Sequence, residues 1–531
     1  MKRFLFLTST VLLAGTMVLC GCGKGNFSAR TQGDPDTFRF PLQVNGSTLD
    51  PGLIQDSYAS ETLNNVFEGL VRYNEQNLLE PALAEKWEIS DGGKTFIFHI
   101  RHGVKFHNGR ELKADDFKWA IDRNTNPKFN SPTASTYLND IVGFDARVAG
   151  KADTVSGVSV VDPYTLKIQI DAPKAYFLEK LTYPCSFPLA KEAMTDTEIR
   201  TPEQAIGTGP FKVTGYISDQ RIDLEAFDGY WGGKPHIRKI VRDVIKDATV
   251  RLNKFRGGES DAVPVDRRDL KTIQTDPALK PYFKIYSLPS VSYIAMNGSV
   301  YKPFANRDVR RAVAMAIDRD KIDSVLLPGL PVARQILPPG IPGHDDHYVG
   351  IKFDPAGAKS LLAKAGYPDG KGLPPFELNY LEQTPESRIS CEEVASELKE
   401  TLGLQVTLRG MEIRTFQDAQ NKQQLGFYMY GWLADYLDPQ DFLSLLLTSK
   451  SSSNFMKYSN PEFDRICAAA DIEADPTKRI KMYQQAQDIA IQDVAWFPMY
   501  IQIQPYLLSA RTKGFRYNAF GAMPQTQTDL K

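Results

Sequence analysis

The stretch Trp87-Glu88-Ile89-Ser90-Asp91-Gly92-Gly93-Lys94-Thr95-Phe96-Ile97-Phe98-His99-Ile100 reads as a β-hairpin. Asp91-Gly92-Gly93 supplies the turn, and Phe96, Phe98 and Ile100 alternate onto one face of the returning strand. A helix pattern follows shortly, because Ala114, Phe117, Ala120 and Ile121 recur at helical spacing. Asp115 and Asp116 fall in its first turn, where the helix dipole favours negative charge. Strand-like and helix-like segments continue to alternate along the chain, which argues for a mixed α and β protein.

Further helices announce their own ends. Asp354 is placed to cap a helix with Pro355 at its first position, and Gly366 followed by Pro368 stops it. Ala358, Leu361, Leu362 and Ala365 form the stripe that should be buried. A second helix is expected over Asp308–Ile317, with Val309, Ala312, Val313 and Ala316 facing inward. Leu398 and Leu402 belong to a third, which precedes a strand over Leu404–Leu408. At 531 residues the chain exceeds one hydrophobic core and should divide into two or more domains.

The first residues set the compartment. Lys2 and Arg3 precede an apolar run from Phe4 to Leu19, and the small residues Gly21, Cys22 and Gly23 follow. That is the layout of a secretory signal peptide; the run contains Thr8, Ser9 and Thr10 and falls short of a membrane span. Gly23–Asp36 is polar, Gly-rich and aperiodic, and reads as a flexible tether. Basic and acidic residues number 63 and 64, with no basic block, so nucleic acid is not an expected partner. Beyond the front end only Cys185, Cys391 and Cys467 remain. An odd number permits at most one bridge among them, and three separate buried thiols is the simpler expectation.

Reactive constellations are missing. Gly232-Gly233-Lys234 lacks both the glycine spacing and the following Ser or Thr of a phosphate-binding loop. There is no Gly-x-Ser-x-Gly, His-Glu-x-x-His or Cys-x-x-Cys. His344-Asp345-Asp346-His347 has metal-ligand residue types, but its Pro- and Gly-rich surroundings favour a solvated loop. No enzyme activity, metal or cofactor is therefore expected. The positive clue is Phe427-Tyr428-Met429-Tyr430-Gly431-Trp432-Leu433-Ala434-Asp435-Tyr436. It is an aromatic strand with a carboxylate just past its end, suited to pairing a cation in a sheltered cleft.

These features resemble the family 5 extracytoplasmic solute-binding proteins that serve oligopeptide and dipeptide ABC importers. The resemblance rests on blocks in order from about Leu49 to Phe520. They include Leu49-Asp50-Pro51, Phe67-Glu68-Gly69-Leu70, and Ala84-Glu85-Lys86-Trp87 through Gly103-Val104-Lys105-Phe106-His107-Asn108-Gly109. Gly207-Thr208-Gly209-Pro210-Phe211, Tyr230-Trp231, Gly258-Glu259-Ser260-Asp261, Ile317-Asp318-Arg319 and the Gly431–Tyr436 run continue them. Leu19-Cys20-Gly21-Cys22 resembles the bacterial lipobox, with Cys22 as the acylated N-terminal residue of the mature protein.

The resemblance implies an α/β, two-lobed periplasmic-binding-protein fold of the class with an extra domain, built on mixed sheets around a hinge-closing cleft. Lobe I is assigned to residues 37–66, 190–290 and 504–531, the extra domain to 67–189 and lobe II to 291–503, after a signal peptide (1–21) and a lipidated tether (22–36). It implies a monomer at the periplasm or cell surface, lipid-anchored, that captures peptides and delivers them to the membrane subunits of an importer. Peptide-binding relatives hold the ligand's α-amino group at the position of Asp435, and Tyr137 matches a tyrosine near that end. The ligand backbone would pair near Ser57, Tyr58, Gly431 and Leu433, with Trp432 beside them, which gives affinity without reading side chains. Relatives carry an arginine where this chain has Met429, so the ligand carboxylate lacks its usual anchor; Arg388 is the candidate replacement. Another solute, such as a muropeptide, a metal chelate or an oligosaccharide, is the alternative within the family. A hydrolase, an adhesin and a sensory component are the readings from other classes.

Overall fold

The Trp87 hairpin forms as its pattern requires. In the computed structural model, which describes residues 34–44, 46, 48–193, 198–322, 329–382 and 385–531, Ala84–Ser90 pairs antiparallel with Thr95–Ile100. Thr165–Gln169 and Val158–Asp162 complete a four-stranded sheet. Phe96, Phe98 and Ile100 are buried, and the helix Ala114–Asn124 brings Phe117 and Ile121 into the same core. Asp116 caps that helix by accepting from the Lys113 backbone at 2.9 Å. Signal peptide, Cys22 and most of the tether lie outside the described residues.

Among the described residues, three further sheets of three or more strands and three two-stranded ones carry the rest. Thr37–Arg39 runs parallel to Lys239–Asp243, which is followed by Arg221–Ala226 and Phe211–Ile217 in antiparallel order. Ile503–Leu508 is the middle strand between Ala262–Pro264 and Phe283–Ser287. The largest sheet has five strands in the order Val406–Met411, Phe376–Leu381, Phe427–Leu433, Ser290–Met296 and Phe497–Tyr500. Chain segments pass from the three-stranded to the five-stranded sheet at residues 287–290 and return at 500–503. There they stay paired, with Leu288 N donating to the Gln502 carbonyl at 3.1 Å and Gln502 N to Ser290 Oγ at 3.1 Å.

Buried side chains fall into three cores. One surrounds the Thr37–Arg39 sheet, a second the Trp87 hairpin, and the third and largest the five-stranded sheet. Val263, Val265, Leu270, Ile273 and Leu279 join this largest core. The helix expected from Asp308 spans Arg307–Met315, and Asp354 caps Pro355–Lys364 through Gly357 N at 2.9 Å. The strand expected to start at Leu404 starts at Val406, because Gly403 (φ 69°) and Leu404 are spent turning out of the helix Pro385–Leu402. Cys185, Cys391 and Cys467 are buried and separate, and burial pushes each thiol up.

The sequence blocks turn out to be joints between distant segments. Glu68 accepts from Tyr230 Oη (2.8 Å), Trp231 Nε1 (2.9 Å) and Thr208 Oγ1 (3.2 Å), uniting three blocks at one buried carboxylate. Asp50 pairs with Arg123 inside the protein and also accepts from Gly52 N and Ile199 N. Asp261 holds Arg511 at 2.6 Å and the Arg39 backbone at 2.7 Å. Arg319 spans the carbonyls of Ala333, Pro498 and Ile351. Each of these charged groups is buried against polar partners, so removing one partner strands the other.

The glycines of Gly207-Thr208-Gly209 serve close approach. A Cβ on Gly207 would stand 1.9 Å from the Val66 carbonyl oxygen. Gly207→Ala is therefore expected to destabilise the chain by about 1–3 kcal/mol, as overpacking does. Thermal unfolding should show a lower Tm; an unchanged Tm would mean that the joint tolerates separation.

Candidate functional site

Two edges of the strand Phe427–Leu433 differ. Ser290–Met296 pairs with it along its whole length, from Met296–Phe427 to Ser290–Leu433. On the other side Phe376–Leu381 registers only at Asn379–Tyr428. Among the described residues, the backbone of Gly431–Leu433 thus has a strand on one side and a free edge on the other. Such an edge can accept an extended ligand. A Cβ on Gly431 would sit 3.3 Å from Gln502 Nε2 and 3.4 Å from Ser292 Oγ, so the glycine keeps backbone close to these two polar groups.

Past the end of this strand the chain meets the core of the Trp87 hairpin. Ala434 N donates to the Pro289 carbonyl at 2.9 Å, Leu437 N to Tyr73 Oη at 3.1 Å, and Tyr436 is buried in the hairpin's core. Asp435 stands at this junction, and the Tyr137 hydroxyl donates to its carboxylate. Tyr137 stacks on Tyr183 with ring centroids 3.6 Å apart and planes 10° from parallel. Tyr183 in turn donates to the Ile54 carbonyl at 3.1 Å, just before Ser57 and Tyr58. Burial pushes the Asp435 carboxyl up to about 6, with the Tyr137 hydrogen bond opposing it.

Ser57, Tyr58 and Leu433 line one cleft of about 560 Å³, its open mouth included. Tyr506, Tyr517, Gln43, Gln504 and the Glu61–Arg242 pair (2.7 Å) share its walls. Six expected residues therefore gather in two connected places: Asp435 with Tyr137 and Trp432, and Leu433 with Ser57 and Tyr58. Gly431 links them on the strand. Arg388 is 61% exposed on the helix Pro385–Leu402, paired one turn along with Glu392 at 3.3 Å. Met429 is 1% exposed, with Cys391 Sγ 3.9 Å from its sulfur, so apolar packing fills the position of the relatives' arginine. His344 bonds within its own loop, to the Leu337 carbonyl (2.7 Å) and Asp346 (3.2 Å). No cluster of metal-ligating side chains occurs among the described residues.

Sequence reasoning missed Asp438 and Asp441, although their spacing from Asp435 was visible as Asp-x-x-Asp-x-x-Asp. Asp438 is held by Arg479 through two bonds of 2.6 and 2.8 Å. Asp441 accepts from Trp432 Nε1 at 3.0 Å and from Asp435 N at 3.1 Å. Nothing local says which of three aspartates lacks a cation.

That lack has a measurable consequence. A carboxyl whose pKa rises on folding makes the folded state bind protons more tightly, so stability falls as pH climbs from about 4 through about 6. Asp435→Asn removes the charge and is expected to raise the Tm of the unliganded protein at pH 7.5 by about 1–3 °C, with little change near pH 4. Thermal unfolding of the wild type and Asp435→Asn at the two pH values checks this; equal shifts at both would refute it.

The family model for bacterial extracellular solute-binding proteins, family 5 (middle) matches residues 79–454. The oligopeptide-binding protein OppA of Bacillus subtilis is 29% identical over 95% of each chain. The probable deoxycholate-binding periplasmic protein YgiS of Escherichia coli is 31% identical over 90% of each. Among solved structures, the Escherichia coli murein tripeptide binding protein MppA superposes with a TM-score of 0.80 at 26% identity, covering 94% of this chain and 99% of that one. The fold is thus the two-lobed one of the periplasmic binding proteins, and the chain belongs to the bacterial extracellular solute-binding proteins, family 5.

Proposed function

We propose that this protein captures peptides outside the cytoplasmic membrane and delivers them to an ABC importer, anchored by lipid on Cys22. The observation that carries the peptide reading is Asp435, a sheltered carboxylate without a protein cation, beside the free edge of Gly431–Leu433. A ligand ammonium supplies the missing charge, and its backbone supplies the missing strand. The cleft beyond, walled by Tyr58, Tyr506 and Tyr517, receives side chains without a fixed charge pattern. Apolar burial of Met429 leaves the carboxyl end without the relatives' anchor, so recognition centres on the amino end. The paired crossings at 287–290 and 500–503 are the hinge about which the lobes close. The core of the Trp87 hairpin corresponds to the extra domain, and Val263, Val265, Leu270, Ile273 and Leu279 of lobe I pack with the core of lobe II. The chain works as a binder with no catalytic step, as a monomer.

A murein peptide is the second reading, favoured by likeness to MppA along 94% of the chain. Both share the amino-end requirement.

Isothermal titration with peptides of graded length, a murein tripeptide and deoxycholate tests the proposal. Free-amino peptides should bind and raise the Tm. N-acetylation, or Asp435→Ala, should weaken binding by about 100-fold, the loss of a sheltered charge-assisted contact. Tight binding of deoxycholate alone, or indifference to acetylation, would overturn it. For the anchor, Cys22→Ser is expected to move the protein from the detergent phase to the aqueous phase on partitioning. Unchanged partitioning would refute acylation at Cys22.

A further inference from the structure

Of the three aspartates at the end of the strand, Asp438 has Arg479 and Asp435 awaits a ligand, but Asp441 has neither. It is 0% exposed. Its Oδ2 already accepts two N–H groups, from Trp432 Nε1 and Asp435 N, while its Oδ1 has no hydrogen-bond partner in the protein. The groups facing the pair offer it no free cation. Tyr137, Tyr183 and Tyr176 come from the side of the hairpin's core, and Tyr436 and Asp438 from the adjoining segment. Arg479 is engaged by Asp438, and Lys174 and Lys180 by Asp140. The strongest charge acting on Asp441 is the carboxylate of Asp435 itself.

An ionised carboxylate in this position would be buried, half-satisfied and beside a like charge, with two N–H donors but no cation to oppose these costs. A proton on Oδ1 removes the buried charge and the like-charge repulsion. We propose that Asp441 is a protonated, neutral acid at neutral pH, and that it positions Asp435 and Trp432 so that the amino-end pocket presents a single negative charge. Its Oδ2 acts as a carbonyl oxygen for the two N–H donors, and its Oδ1 carries the proton. Two ionised carboxylates here would favour a divalent metal ion; one carboxylate beside a neutral acid matches the single ammonium of a peptide. Burial and the neighbouring carboxylate both push the Asp441 carboxyl well above its ordinary range, in keeping with this assignment. The part concerning the ligand rests on the peptide reading above, whereas the protonation state does not.

Infrared difference spectroscopy of the full mature chain at pH 7.5, wild type minus Asp441→Asn, tests the protonation directly. A protonated carboxylic acid carbonyl band should appear in the difference; other buried acids cancel, being common to both. A carboxylate band in its place would overturn the proposal. Titration with a free-amino tripeptide tests the positioning. Asp441→Ala should weaken binding by about 10-fold or more, the cost of stranding two buried donors, and Asp441→Asn should rescue it, since an amide accepts and donates in the same places. If Asp441→Asn instead loses as much as Asp435→Asn, Asp441 is ionised and shares the ammonium, and the proposal fails. Calcium or manganese binding by the wild type in the same assay would also refute it. Absence of any peptide binding by the wild type sinks the peptide reading while leaving the infrared result standing.

Discussion

A carboxylate sheltered from water with no protein cation beside it is the constraint around which this molecule is arranged. Asp435 occupies the point where the strand Phe427–Leu433 leaves its sheet and runs against the core of the Trp87 hairpin. Burial there opposes ionisation, and only the Tyr137 hydroxyl supports the charge. The structure tolerates that cost because the segment is fixed at both ends, by Ala434 on Pro289 and by Leu437 on Tyr73. Fixing the backbone keeps Asp435 from turning out to solvent.

The contrast with the other buried acids is instructive. Asp50, Asp261 and Asp438 each hold an arginine, and Glu68 collects three neutral donors. These are joints: they tie segments remote in sequence, and their charges are spent inside the protein. Much of what resembles a family signature in the sequence is of this kind. Recurrence of such blocks therefore reports the scaffold, while the ligand is read from the few polar groups that the scaffold leaves unsatisfied.

Relatives of comparable identity are named for oligopeptides and for deoxycholate, so family membership alone does not select a ligand. What separates the readings is local chemistry. The free backbone edge at Gly431–Leu433 and the uncompensated charge of Asp435 suit a peptide's amino end. The aromatic cleft beyond them is permissive. Met429, packed against Cys391, is apolar at the position where the resemblance implies an arginine.

Much of the fold was legible in the sequence, because hairpins and helix caps depend on spacings of a few residues. The Asp91-Gly92-Gly93 turn, the alternation from Phe96 to Ile100 and the Asp354–Pro355 cap all formed where the pattern put them. The strand end at Leu404 was misjudged for the same reason, since the turn at Gly403 competes locally with strand propensity. Asp435 was singled out as the carboxylate just past an aromatic strand, whereas Tyr137, Ser57, Tyr58, Leu433 and Arg388, an exposed partner of Glu392, were named through resemblance. No spacing could have shown that Arg479 goes to Asp438, or that Asp441 is enclosed with one oxygen unpartnered. Sequence by itself determined which segments are strands and helices and in what order the blocks occur. Tertiary structure decided which of three near-identical carboxylates is paired, which is open and which is enclosed, because a charge's cost depends on everything packed around it and not on its neighbours along the chain.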